Sequence, residues 1–242
     1  MANWKMHKTI SEALSFIDDF IPMVKDIKDR EIGIAPTFLC IASVGKAIKD
    51  TNIKLCAQNA FYENKGAYTG EISPSMLKDA GVEYVIIGHS ERRKYFNETD
   101  EVINKKIDAC VKEDLNVIFC IGETLEERQK DKTTEILKTQ IIKGLDKINS
   151  PETLTIAYEP VWAIGTGVVA TESQIAEAHS FIRNQLREIY GKVADKIRIL
   201  YGGSVTPENI KTIMTIDNVD GVLVGGASLD PVKFAKIVKY EF

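Results

Sequence analysis

The chain has 242 residues, 44% of them hydrophobic and 27% charged, with a formal net charge of −4, the profile of a globular protein with a large core. An acidic balance argues against nucleic acid as the main partner, because phosphate backbones select basic faces, yet a small phosphorylated ligand needs only a local cluster of donors. No apolar run approaches the roughly 18 residues that read as a membrane span, and MANWKMHKT at 1–9 has no apolar signal core, so the expectation is a cytoplasmic protein with no membrane partner.

Short apolar, β-branched runs recur along the chain: NWKM at 3–6, EIGIA at 31–35, NIKLCAQ at 52–58 and EYVIIG at 83–88. NVIFCIG at 116–122, LTIAYE at 154–159, IRILYG at 197–202 and GVLVGG at 221–226 continue the series. Several are apolar at consecutive positions, which predicts strands covered on both faces. Amphipathic stretches separate them. Ile136, Leu137 and Ile141 mark one helix over 133–145, and Ile175, Ala178, Ile182, Leu186 and Tyr190 mark another over 172–190. Thr171 before Glu172 and Thr206-Pro207-Glu208 read as helix starts. Strands alternating with helices predict a parallel sheet. Eight such runs with no Pro/Ser-rich linker predict one (β/α)8 barrel domain over 1–242. The cysteines Cys40, Cys56, Cys110 and Cys120 are scattered without metal-ligand spacing and read as reduced structural thiols.

Polar residues gather at or just after the carboxyl ends of the runs: Asn3, Lys5, Gln58, Asn59, His89, Glu159, Gly202-Gly203-Ser204 and Gly225-Gly226. Ligands of α/β sheets and barrels bind at that end. Glu159, after a covered strand, is either a base whose pKa burial raises or a salt-bridged strand end. His89 opens a helix-like SERRKYF, whose amino terminus would keep the imidazole neutral; it is either an electrophile or a structural histidine. His179 lies on the apolar face of 172–190 and reads as a satisfied structural histidine, and His7 as solvent-facing or interfacial. Lys5, between Trp4 and Met6, asks for an anion nearby, because desolvating an ammonium is costly. The two glycine pairs would let backbone N–H groups approach a phosphate.

The stretch 165–170 fits the dinucleotide pattern G-x-G-x-x-A, but Glu159 to Ile164 separates it from its strand and no acidic strand end follows. A loop that opens at Pro160, carries apolar Trp162, Ala163 and Ile164 and closes on glycines instead describes a water-excluding lid.

NWKM, GHSERR at 88–93, AYEPVWAIGTG at 157–167, YGGS at 201–204 and GVLVGGASL at 221–229 together resemble the triosephosphate isomerase family in order and spacing, from Asn3 to the last helix. The resemblance implies a TIM barrel that interconverts dihydroxyacetone phosphate and D-glyceraldehyde 3-phosphate through an enediolate, in glycolysis and gluconeogenesis, with neither metal nor organic cofactor. It implies Glu159 as the base, His89 as the neutral electrophile and Lys5 as the cation on the enediolate and phosphate. Asn3 would orient groups at the substrate oxygens. Gly165, Ser204, Gly225 and Gly226 would contact the phosphate, while Ser90 and Glu91 would position Lys5 and His89. It also implies a homodimer through the loop 57–74, with Thr69 at its tip.

The chain departs from the family pattern at the start, where only Met1 and Ala2 precede Asn3. A shortened first strand is expected, leaving parts of strands two and eight without a ladder partner; one expectation is a natural start upstream of Met1. The rival functions are a non-catalytic phosphate-binding barrel and a barrel isomerase for a larger phosphorylated substrate.

Overall fold

A computed structural model describes residues 1–164 and 169–241. Its single sheet has eight parallel strands in sequential order: β1 (Ala2–Asn3), β2 (Ile32–Ala35), β3 (Ile53–Ala57), β4 (Tyr84–Ile87), β5 (Asn116–Ile121), β6 (Leu154–Tyr158), β7 (Arg198–Tyr201) and β8 (Gly221–Val222). The sheet closes into a barrel through an Ala2↔Val224 bridge. There the Asn3 amide donates to the Val224 carbonyl, and the Val224 amide to the Met1 carbonyl, each at 2.8 Å.

Ten α-helices accompany the strands: α1 (Ile10–Val24), α2 (Ile41–Ala47), α3 (Pro74–Asp79), α4 (Ser90–Phe96), α5 (Asp100–Lys112), α6 (Leu125–Gln129), α7 (Thr133–Gly144), α8 (Glu172–Tyr190), α9 (Ile210–Met214) and α10 (Pro231–Val238), counted among the described residues. Every residue of β2, β4 and β6 is buried, as strands with both faces covered require. Register fixes the faces. Ile86 pairs with Ile118, Cys120 with Ala157 and Ala157 with Leu200, and these small and medium side chains share one cluster that fills the barrel. The alternate residues, Phe119, Ile156, Tyr158 and Tyr201 among them, pack outward in the larger cluster beneath the helices.

The longest helix, α8, shows why sequence pattern sufficed there. The Thr171 hydroxyl accepts from the Gln174 amide while the Gln174 side chain reaches back to the Thr171 amide, a reciprocal cap. Ile175, Ala178, Ile182 and Leu186 then form its buried stripe. Two expectations need correcting. The 206–208 segment is a turn in which the Thr206 amide donates to Asn209 Oδ1 at 2.8 Å, and the helix starts only at Ile210. The NWKM strand covers Ala2–Asn3, because after Trp4 donates to the Ala35 carbonyl at 3.1 Å the backbone turns left-handed at Lys5, φ 53°.

The first strand is short, as expected. Ile32 of β2 and Gly221 of β8 pair with β3 and β7, but β1 reaches only Ile34 on one side and begins with Met1 against Val222 on the other. The gap is a cavity of about 280 Å³ at the amino-terminal end, walled by Met1, Leu200, Val222 and Phe234 and rimmed by Arg30 and Arg198.

Candidate active site

The opposite end of the barrel gathers the polar residues singled out in the sequence. Asn3, Lys5, His89, Glu159, Ser204, Gly225 and Gly226 line one cavity of about 220 Å³. Gly165 lies outside the described residues. The cavity at the amino-terminal end is slightly larger, but its Arg30 is already tied to Asp29 and its Arg198 to Glu31; convergent chemistry, not volume, marks the smaller one.

Glu159 follows β6 directly, its amide donating to the Ile121 carbonyl at 2.7 Å. Its side chain is buried, with Oε1 3.0 Å from His89 Nε2 and Oε2 accepting from the Ser90 amide at 3.0 Å. Two glycines make room for it. A Cβ on Gly122 would overlap the Glu159 carbonyl, and one on Gly202 would come within 2.9 Å of the Glu159 Cγ. The sequence reading gave Gly122 no role, although a glycine ending a strand was the available signal.

His89 is set by Gly88, which takes φ 77° and turns β4 into α4. Its Nδ1 accepts from the Glu91 amide at 3.2 Å, so the proton sits on Nε2, facing Glu159. Burial pushes the Glu159 carboxyl up, but the charge and hydrogen bond of His89, the Ser90 amide and Lys5 outweigh it and hold the group below its ordinary value. Burial likewise pulls His89 down, and Glu159 and Glu91 pull it up more strongly. The carboxyl follows the salt-bridged alternative, its burial more than offset, while the raised imidazole corrects the expectation of a depressed one. The physical reason is their 3.0 Å contact, through which the charged form of each favours the charged form of the other.

Lys5 reaches Glu91 Oε1 at 2.7 Å with its side chain 23% exposed, so the anion the sequence asked for is a carboxylate at the edge of the cavity. Asn3 is buried and its Oδ1 accepts from the Lys5 amide at 3.0 Å. Gln58 Nε2 donates to the Lys5 and Ala35 carbonyls, both at 2.8 Å. Gln58 was visible as a strand-end amide, but nothing in the sequence showed that it clamps the left-handed turn. Ser90 and Glu91 were expected to position Lys5 and His89; Glu91 touches both, whereas the Ser90 amide donates to Glu159.

Glycines and Ser204 form the remaining wall. Gly226 begins a 3-10 turn, Gly226–Leu229, at its end, and a Cβ on Gly225 would stand 3.4 Å from Lys5 Cε. The dinucleotide alternative places its glycines at 165 and 167, outside the described residues. Of the expected lid, Ala163 is buried and Trp162 and Ile164 are half-buried. Trp162 Nε1 donates to Glu123 Oε1 at 2.9 Å. Glu123 is fully buried and also takes the Tyr158 hydroxyl and, at 2.9 Å, Arg128 Nη1. The sequence reading missed Glu123, because a glutamate before Thr124 looks like an ordinary helix approach.

The family profile described as triosephosphate isomerase matches residues 1–241. The triosephosphate isomerase of Thermodesulfovibrio yellowstonii is 77% identical over 240 residues, covering 99% of this chain and 98% of that protein. That of Geobacter metallireducens is 54% identical over 242 residues, covering 99% and 96%. The crystal structure of triosephosphate isomerase from Bartonella henselae superposes with a TM-score of 0.90 at 37% identity, over 98% of this chain and 95% of that one. With its barrel and its matching motifs, the chain belongs to the triosephosphate isomerase family.

Proposed function

We propose that the family's reaction, the interconversion of dihydroxyacetone phosphate and D-glyceraldehyde 3-phosphate, runs in this chain with Glu159 as base, His89 as electrophile and Lys5 as the cation. The supporting observation is the Glu159–His89 contact of 3.0 Å inside a cavity that also holds Lys5 and the glycine-rich wall. Glu159 takes a proton from the carbon beside the substrate carbonyl. His89 Nε2–H and the Lys5 ammonium stabilise the oxygen that becomes anionic. The hydroxyl proton on the neighbouring carbon passes to that oxygen by way of His89, and Glu159 returns its proton to that neighbouring carbon, whose oxygen becomes the new carbonyl. A positioned base is worth roughly 10²–10⁴-fold, and one oxyanion donor about 3–4 kcal/mol.

The coupled titration fits this sequence. Without substrate the carboxylate rests on His89 and the Ser90 amide. Once it turns to the substrate carbon, the upward pull on His89 leaves with it. Burial, Lys5 and the Glu91 amide on Nδ1 then all favour neutral imidazole, the form able to donate without releasing a full proton. Ser204, Gly225 and Gly226 would hold the phosphate, with Gly165 completing the grip and Asn3 orienting the oxygens. The segment from Pro160 is the lid that keeps water from the enediolate.

The chain would act as a cytoplasmic homodimer. Supporting this, Phe61 stacks on Tyr62 at 4.1 Å and meets Tyr68 at a tilt at 4.7 Å within the 57–74 loop. Tyr68, Met6, Met76, Tyr95 and Phe96 also stand exposed, an unusual set of large apolar side chains for a free surface.

A coupled assay with glyceraldehyde 3-phosphate separates this reading from a non-catalytic phosphate-binding barrel, which gives no turnover, and from an isomerase of larger substrates, which gives turnover only with them. Glu159→Gln should lower kcat by about 10³-fold or more while affinity for an unreactive phosphorylated triose analogue stays within a few-fold. Retained turnover in that variant removes Glu159 from the role of base.

A further inference from the structure

Among the described residues only three buried side-chain polar atoms lack a hydrogen-bond partner: Glu98 Oε2, His179 Nε2 and the Tyr201 hydroxyl. Such atoms cost free energy and call for an explanation. Two of the three belong to rings whose centroids lie 6.4 Å apart, and they are complementary.

His179 Nδ1 is 2.9 Å from the Asn218 carbonyl. A carbonyl only accepts, so Nδ1 carries the proton and Nε2 presents a lone pair. Burial holds the imidazole down at about 4, so it is neutral at ordinary pH. The ring is fully buried on α8 and packs on two tyrosines that are register partners at the ends of β6 and β7. Tyr158 meets it edge-on at 5.8 Å, but its hydroxyl is committed to Glu123. Tyr201 is the tyrosine of the two with a hydroxyl to offer. The charged groups acting on His179 are Arg183, from the same helix, and Asp220, which precedes β8; they pair with each other at 2.7 Å.

The Tyr201 hydroxyl also occupies a sensitive place. A Cβ on Gly203 would overlap it, so it lies directly against the backbone that leads to Ser204. The Ala170 backbone, just before the cap of α8, also acts on it. We propose that His179 is a positioning residue: its Nε2 accepts from one buried water that in turn accepts the Tyr201 hydroxyl proton, and so fixes the ring that braces the Gly203–Ser204 backbone and meets Ala170. The hydroxyl oxygen keeps its lone pairs for the Ala170 backbone. The consequence for catalysis rests on the function proposed above; the hydrogen bond itself does not.

The test is a double-mutant cycle with His179→Phe, Tyr201→Phe and both together, read as kcat and KM. Each single change should lower kcat/KM by roughly five- to tenfold, the worth of one buried hydrogen bond, with most of the loss in KM because the phosphate wall is loosened. The double variant should be no worse than the poorer single one, and His179→Gln, which retains an acceptor, should recover part of the loss. Multiplying losses overturn the coupling. Nitrogen NMR of the unmodified protein and of folded Tyr201→Phe reads the bond without reference to activity. The expected result is a neutral Nδ1–H tautomer whose Nε2 resonance moves to the free lone-pair position in Tyr201→Phe. An unmoved resonance, or an Nε2–H tautomer, overturns the proposal even if catalysis stands; no turnover with either triose phosphate overturns the function and leaves the resonance to decide the bond.

Discussion

Glu159 divides its oxygens between an imidazole and a backbone amide, and this arrangement has a measurable signature in stability. A carboxyl held below its ordinary value contributes stability that is present above that value and lost as pH falls through the lowered one. A histidine raised above 6.5 contributes stability that is full below 6.5 and lost as pH rises through the raised value. The two windows overlap on the mildly acidic side of neutrality. His89→Gln should therefore lower Tm and remove this hump, so that the difference in Tm between the two proteins is largest near pH 6 and shrinks toward pH 4 and pH 9. A constant difference across that range would show that the pair does not titrate as one unit. At this scale the sequence named nearly every group but not its state. Glu159, His89 and Lys5 were legible because charged residues at the ends of apolar runs are rare. The Glu159–His89 contact, the clamp from Gln58 and the meeting of Glu123 with Tyr158 and Trp162 depend on residues 23 to 70 positions apart, and no local pattern encodes those.

Elements were most legible where local and tertiary signals agreed. The bounds of α8 coincide with its cap and its stripe, whereas the start of α9 was placed too early because Thr206 and Asn209 together close a turn before it. The Thr206 hydroxyl accepts from the Glu208 amide, and Asn209 Oδ1 from the Thr206 amide. Strand ends carry the steric demands of the site. Gly122→Ala should push the end of β6 away from β5 and lower kcat by about 10²-fold or more, since a misplacement near 1 Å is enough for that; wild-type kinetics would mean the two strand ends yield without cost. β1 is the weak element. Adding about six alternating apolar residues ahead of Met1 should continue the ladder between β2 and β8 and fill the 280 Å³ cavity, raising Tm by several degrees at roughly 2–4 °C per kcal/mol. No rise in Tm would mean the added residues do not enter the gap.

For the whole molecule, the eight apolar runs became the eight strands in order, so architecture was the most readable property of the chain. Closure was not, since it depends on three backbone bonds between Met1–Asn3 and Val222–Val224. The site gathers residues from Asn3 to Gly226, so it forms only when the barrel has closed. The proposed dimer would cover Met6 and Tyr68, both exposed in the single chain. Light scattering at micromolar concentration should give twice the chain mass, and charged substitutions at Tyr68 and Met76 should give monomers with reduced activity. A fully active wild-type monomer would remove the dimer from the proposal. The chain's two tryptophans happen to mark the two regions that matter here. Trp4 is wholly buried at the seam, its Nε1 on the Ser228 carbonyl at 3.1 Å, and Trp162 is half-buried at the loop beyond β6, on Glu123. Each is thus an intrinsic fluorophore for one event, so replacing either by phenylalanine gives a protein whose remaining emission follows the opening of the barrel or the rearrangement of the loop, without a label.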